Sequence, residues 1–183
     1  YLACGDVGRG RLAEPERIVS AVLDLLNENE ESKNDFAGKR VMVTAGPTVE
    51  PIDPVRYLTN RSSGKFGYAL ATAAAKRGAQ VTLISGPVAL PAPAGVEVTY
   101  VESARDMLAA AEASFANADI ALFAAAVADM RPANPADKKL KKGKNDSELL
   151  AIQLTENPDI LATLGHKKEH QVVIGFAAET NNV

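Results

Sequence analysis

Cysteine is nearly absent: Cys4 is the only one in 183 residues, which excludes an intramolecular disulfide framework. Without a Cys/His cluster a structural zinc site is excluded too. The only histidines are His166 and His170, spaced i,i+4, but the Glu that follows the first His of a zincin helix is missing. They read as a solvated helix end. Charge of one sign is also lacking, since 20 Lys+Arg stand against 23 Asp+Glu for a net charge of -3. That balance gives no basic excess for a nucleic-acid backbone or an anionic membrane, so any nucleotide bound here is a small molecule. No stretch reaches the roughly 18 apolar residues of a membrane span. The opening Tyr1-Leu-Ala-Cys-Gly-Asp6 is not a signal peptide, and a cytoplasmic location is expected.

Two nucleotide motifs are missing as well. A Walker A loop needs Gly-x4-Gly-Lys-Ser/Thr, but Lys65 is followed by Phe66 and position 59 is Thr59 rather than glycine. The Gly-x-Gly-x-x-Gly fingerprint does not follow the first apolar run, where Ala45-Gly-Pro-Thr48 stands instead. Nor does Tyr-x-x-x-Lys occur anywhere. A plain nucleotide hydrolase or an NAD(P)-dependent oxidoreductase on a Rossmann-like fold is thereby disfavoured; the oxidoreductase stays as the runner-up, with a non-catalytic nucleotide-binding remnant third.

What is present is the make-up of one globular domain with an appendage: 46% of residues are hydrophobic and 23% charged. From Pro15 to Leu26 the apolar residues follow a helical period, and Asn27–Asp35 is polar and unpatterned, a linker. Beyond it, short apolar runs alternate with amphipathic helices. This predicts an α/β fold, Rossmann-like and doubly wound, with a mostly parallel sheet and helices on both faces. Strands are expected at Arg40–Thr44, Gln80–Ser85, Val96–Val101, Ile120–Ala124, Leu149–Leu154 and Val172–Phe176, and helices at Gly67–Arg77, Ala104–Ala113 and Asp159–Leu164. Ser103 and Asp106 form a capping-box pattern with Asp in place of Glu, and Gly78 after Lys76-Arg77 reads as a helix stop. In such a sheet ligands collect beyond the carboxyl ends of the strands.

Several loops there have the chemistry to hold one. Residues 45–65 form a long, proline-bearing loop, a length that marks function or disorder. Ser62-Ser-Gly-Lys65 at its end is either an anion site at a helix N-terminus or a capped helix with a flexible glycine. Ala124-Ala-Ala-Val-Ala-Asp129 has small side chains that allow a ligand close to the main chain, or that serve close packing of helix on sheet. Asp129 is either a strand-end carboxylate for a ribose or amino group, or a surface cap. Asp137-Lys-Lys-Leu-Lys-Lys-Gly-Lys144 is either a solvated charge run or a flap that delivers lysine to phosphates, and its like charges with Gly143 predict mobility without ligand.

In order and spacing, these segments resemble the phosphopantothenate-cysteine ligases of coenzyme A synthesis in their bacterial bifunctional form. The resemblance rests on Thr44-Ala-Gly-Pro-Thr-x-Glu-Pro-Ile-Asp-Pro-Val-Arg56, Leu58-Thr-Asn60, Ser62-Ser-Gly-Lys-x-Gly67, Ala124–Asp129, Lys139-Leu-Lys-Lys142, Asn157-Pro-Asp-Ile-Leu161 and Gly175-Phe-Ala-Ala-Glu-Thr-Asn181. Ahead of them, Ala3-Cys-Gly-Asp-x-Gly-x-Gly-Arg-Leu-Ala-Glu-Pro15 resembles the substrate clamp of the flavin-dependent phosphopantothenoylcysteine decarboxylase fused to many of these ligases. Residues 1–35 are thus expected to be a decarboxylase remnant plus linker, and 36–183 a ligase domain.

The resemblance implies two steps. The carboxylate of 4'-phosphopantothenate attacks the α-phosphate of CTP and releases pyrophosphate, leaving an acyl-cytidylate; the amine of L-cysteine then displaces CMP and forms the amide. It assigns Lys139 to the first half-reaction and Asn60 to the second, with Arg56 and the backbone around Ala126 at the same carboxyl group. CTP falls to Asp129, Lys139, Pro158, Asp159, Ile160, Leu161 and Phe176, with Mg²⁺ offsetting the phosphate charge. The N-terminal amides of the helix begun by Pro158–Leu161 are expected to hold phosphate, and Phe176 to pack on the nucleotide, though a core phenylalanine is the plainer reading. Cys4 matches the decarboxylase cysteine that protonates an enethiolate; FMN belongs to that domain, and without it Cys4 is expected to be chemically stranded. The ligases form homodimers, and larger rings when the decarboxylase is attached. Relatives continue past Asn181 with lysines that reach the CTP phosphates, so the nucleotide site is expected to be incomplete at Val183. Phe66 stands where methionine is usual and Met130 where an aromatic is.

Overall fold

The computed structural model describes residues 34–178 together with Arg17, Val19 and Ser20. Those three are helical, within the helix expected over Pro15–Leu26; the rest of that helix, most of the linker and Cys4 lie outside the described residues.

Five parallel strands form the central sheet: β1 (Arg40–Ala45), β4 (Gln80–Ser85), β5 (Val96–Tyr100), β6 (Ile120–Phe123) and β9 (Val172–Gly175), in the order β5-β4-β1-β6-β9. β1 is central because its residues are apolar on both faces. Val41 and Val43 face α1 (Lys65–Lys76), in a core with Tyr68, Ala71 and Leu83. Met42 points the other way, into a second core with Ile84 of β4 and with Met107, Phe115 and Leu164 from α2 (Ala104–Phe115) and α4 (Ile160–His166). This is the period-two alternation of a strand covered on both sides. Each large side chain so buried, such as Met42 or Leu83, contributes about 1.5–3 kcal/mol.

The expected doubly wound fold is therefore present, and five of the six expected strands lie in this sheet. The chain moves from β1 outward through β4 to β5, then returns to the far side of β1 for β6 and β9. That reversal leaves a crevice between the carboxyl ends of β1 and β6. The helix signals are also realised. The Ser103 hydroxyl accepts from the Asp106 amide at 3.2 Å, and the Asp106 carboxylate accepts from the Ser103 amide at 3.0 Å. Gly78 takes φ +88° after Lys76-Arg77.

One expected strand is corrected. In Leu149–Leu154 the first two residues end a short helix, α3 (Asp146–Leu150), and only Leu154 is in a strand. That strand, β8 (Leu154–Glu156), pairs antiparallel with β7 (Met130–Pro132), apart from the central sheet. A short apolar run without alternation does not separate helix from buried strand. Here Leu150 is 86% exposed, so the run is not core at all. The long first loop also folds, as a hairpin of β2 (Val49–Pro51) and β3 (Tyr57–Thr59).

Candidate active site

The loops after β1 and β6 are welded together backbone to backbone. The Ala126 amide donates to the Gly46 carbonyl at 2.8 Å, and the Thr48 amide to the Ala126 carbonyl at 3.3 Å. Thr48, fully buried, accepts at its hydroxyl from the Ala128 amide at 2.9 Å. The β2–β3 hairpin is fixed in turn: the buried Glu50 carboxylate accepts from the Ala104 amide at 2.9 Å and so caps α2. On the far side of β1, the first turn of α1 packs hard against the strand. A Cβ at Gly67 would lie 2.4 Å from the Ala45 Cβ, so only glycine allows that approach.

Over this frame opens a cleft of about 1000 Å³, at the reversal of strand order. Asn60, Asp129, Pro158, Asp159, Ile160, Leu161 and Phe176 all line it, with Ala124–Ala126 forming its floor. Asn60 Nδ2 donates to the Val127 carbonyl at 2.9 Å and, more weakly, to that of Ala126 at 3.5 Å. Two carbonyl acceptors fix the amide's orientation, so Oδ1 is left as its unengaged atom. Phe176 is 45% exposed and meets Phe66 edge to face, with ring centroids 4.8 Å apart. It is an aromatic wall of the cleft, which corrects the plainer reading of a core phenylalanine. Phe66, where methionine is usual in the resemblance, supplies the other ring.

The ends of two helices differ in charge. α1 has no side-chain cap and no acid in its first turn; its N-cap, Gly64, is left-handed with φ +72°. α4 is capped by Asp159, whose carboxylate accepts from the Ala162 amide at 2.8 Å. That negative group already occupies the end where phosphate was expected, so the uncapped α1 is the more positive end of the two. The Ala126 N–H is engaged by the Gly46 carbonyl and is not free to donate to a ligand.

Lys139 and Arg56 are not on this cleft. Lys139 lines a second cavity of about 960 Å³, with Lys138, Lys141, Lys144 and Ile52. β7 stands between the two spaces, with Met130 on the first and Pro132 on the second. Arg56 forms an ion pair with Asp53, and its Nη2 donates to the Leu140 carbonyl at 2.7 Å. The Asp53 carboxylate accepts from the amides of Val55 (2.8 Å), Arg56 (2.9 Å) and Leu140 (3.0 Å). Hydrogen bonding from the Arg56 guanidinium, foremost, holds the Asp53 carboxyl well below the usual carboxylate range. The lysine run is thereby anchored at Leu140 and closed by a turn in which the Lys141 amide donates to Asn145 Oδ1 at 3.1 Å.

Thr48, Asp53 and Asn157 stand in the quoted motifs but have no role assigned to them by the sequence reading. Asn157 Nδ2 donates to the Ala128 carbonyl at 2.8 Å, and its Oδ1 accepts from Arg131 at 3.2 Å, so it ties β8 to the loop after β6. A signal existed for Asp53: Asp followed by Pro and, three residues on, Arg is the pattern of a turn whose first carboxylate bonds its own backbone.

A parallel sheet of this order, with its cleft at the reversal and glycine at the close approach of α1, places the protein in the Rossmann-like α/β class. Residues 36–183 match the DNA/pantothenate metabolism flavoprotein C-terminal domain family, and the chain belongs to that family. It is 49% identical over 182 residues to the coenzyme A biosynthesis bifunctional protein CoaBC of Escherichia coli K12, covering 99% of this chain and 44% of that protein. It is also 46% identical over 183 residues to a cysteine/cysteine sulfinic acid decarboxylase of an unknown prokaryotic organism, covering 99% of this chain and 50% of that one. Among solved structures, the crystal structure of the C-terminal domain of a CoaBC protein matches with a TM-score of 0.71 and 49% identity, over 82% of this chain and 69% of that one. The chain thus spans about half the length of these full-length relatives.

Proposed function

We propose that residues 36–183 form a phosphopantothenate-cysteine ligase domain, joining 4'-phosphopantothenate to L-cysteine with CTP through an acyl-cytidylate. Carboxylate oxygen attacks the α-phosphorus as pyrophosphate leaves; cysteine nitrogen then attacks the acyl carbon, the amine loses a proton, and CMP departs. The observation that carries this reading is the assembly of Asn60, Asp129 and Phe176, from three separate loops, around one cleft at the strand reversal. Kinship with the C-terminal half of proteins named for coenzyme A biosynthesis supports it.

In this reading Phe176 and Phe66 flank the nucleotide, and Asp129 meets its sugar or base. The uncapped α1 end faces a phosphate. Asn60, its NH₂ engaged, offers Oδ1 as an acceptor to the incoming cysteine amine and keeps the Ala126–Val127 carbonyls in place. Lys139 enters from the second cavity, past β7. Among the described residues no group of three or more His, Cys, Asp or Glu is arranged to hold a metal. Mg²⁺ would be held chiefly by the nucleotide's phosphates and water, offsetting their charge. We read residues 1–35 as the end of an FMN-dependent decarboxylase with its linker, and the assembly as a cytoplasmic homodimer, built into a larger ring when the decarboxylase is attached. No described helix is long and apolar enough to cross a membrane.

Ligand-induced thermal shift separates nucleotide classes, because a ligand bound only by the folded state raises the melting point. CTP is expected to raise it more than ATP, and NADH not at all. A shift with NADH alone would replace the ligase reading with the oxidoreductase one.

A further inference from the structure

We propose that Asp53 is a positioning residue: with Arg56 it grips both backbone groups of Leu140 and so sets where the neighbouring Lys139 can reach. The Asp53 side chain is wholly covered, and a buried carboxylate is costly unless its oxygens are used. Its bonds to the Val55 and Arg56 amides close a local turn that asparagine would also close. The bond to the Leu140 amide spans 87 residues, and nothing in the hairpin requires it. Arg56 completes the grip by donating to the Leu140 carbonyl while paired with the same carboxylate. A second tether lies four residues earlier, where the Ala136 amide donates to the Ile52 carbonyl at 2.9 Å. Lys139 therefore sits between two fixed points on the tip of the β2–β3 hairpin. The hairpin itself is tied to the cleft, through Thr59 on the Thr48 carbonyl at 2.7 Å and through Asn60 on Val127. The negative charge of Asp53 thus serves to hold a lysine segment in register with the cleft, rather than to meet a ligand.

That this register matters for Lys139 chemistry rests on the ligase reading; the tether itself does not. Two readouts keep them apart. Asp53→Asn keeps the local turn but gives up the charge, and trypsin cleavage after Lys139 or Lys141 in the intact chain is expected to quicken about tenfold. In pyrophosphate release from CTP with 4'-phosphopantothenate, Asp53→Asn is expected to lower kcat/KM about tenfold, but to lower it no further in a Lys139→Ala background. An unchanged cleavage rate, or losses that simply add in the double variant, would overturn the proposal. Quickened cleavage in a protein that releases no pyrophosphate even when continued beyond Val183 would leave the tether standing and remove the ligase reading. Should Asp53→Asn fail to fold, Arg56→Gln, which spares the Asp53 bonds to the Val55 and Leu140 amides and removes the donor to the Leu140 carbonyl, is read by the same two outcomes.

Discussion

The side-chain amide of Asn60 donates to the backbone carbonyl of Val127 at 2.9 Å, joining the loop after β1 to the loop after β6 across 67 residues. This bond spans the strand reversal and leaves Oδ1 as the atom for a ligand. Asn60→Ala is expected to slow CMP release about 100-fold while the first-turnover burst of pyrophosphate is kept. Asn60→Asp should be no better, because a carboxylate facing the Val127 and Ala126 carbonyls has no proton to donate. Following both products within a single turnover checks this; loss of the pyrophosphate burst itself would place Asn60 in the first step instead.

Gly67→Ala sets a methyl 2.4 Å from the Ala45 Cβ and 3.2 Å from the Thr44 carbonyl oxygen, both on β1. α1 must move off the strand, at a cost of about 1–3 kcal/mol. Urea unfolding should show the loss. Because the first turn of α1 carries Phe66 into the cleft, nucleotide binding should weaken alongside it.

Four carboxyl groups tie stability to pH. Asp53 is held below the usual range chiefly by Arg56, Asp35 by Arg77, Asp106 by the Ser103 amide and hydroxyl, and Asp119 by the Arg40 amide. Each takes up its proton more readily in the unfolded chain. Their contribution is therefore complete above the unfolded value of about 3.9 and drains as pH falls toward the lower folded values. The urea midpoint should be level in this respect from pH 7 to about 5 and decline below about 4, less steeply in Asp53→Asn. An equal decline in that variant would remove Asp53 from the account.

Phe176→Ala should leave the fold intact, since the ring is 45% exposed, and raise the KM for CTP about tenfold. Phe176→Leu should keep the bulk of the wall but not restore affinity, because a π face, not bulk alone, meets the base. Steady-state kinetics together with melting curves would show it; unchanged KM in both variants would leave Phe176 a wall that touches no nucleotide.

The sheet was legible in the sequence wherever apolar runs were long enough to show alternation or full burial, as in β1 and β4, and wherever a helix carried its own stop or cap, as at Ser103 and Gly78. β2, β3, β7 and β8 were not, because strands of three residues, two of them ending in proline at Pro51 and Pro132, are too short to carry a period. Asn60, Asp129 and Phe176 were legible as cleft residues only through the resemblance of the motifs that carry them. The position of Lys139 was not: which cavity it lines depends on Asp53 and Arg56, more than 80 residues earlier. Likewise, nothing in Pro158–Leu161 as a sequence tells whether the helix amides are open to phosphate or, as in the structure, one is already taken by the Asp159 carboxylate.

The measurement that bears most directly on the ligase reading is pyrophosphate release from CTP with Mg²⁺, with and without 4'-phosphopantothenate and with cysteine withheld or added. It would be made on this chain and on the same chain continued beyond Val183. Release that requires phosphopantothenate but not cysteine, followed by CMP release only when cysteine is added, is the predicted result. Absence of phosphopantothenate-dependent release from both chains would contradict the account and leave only the fold and its cleft.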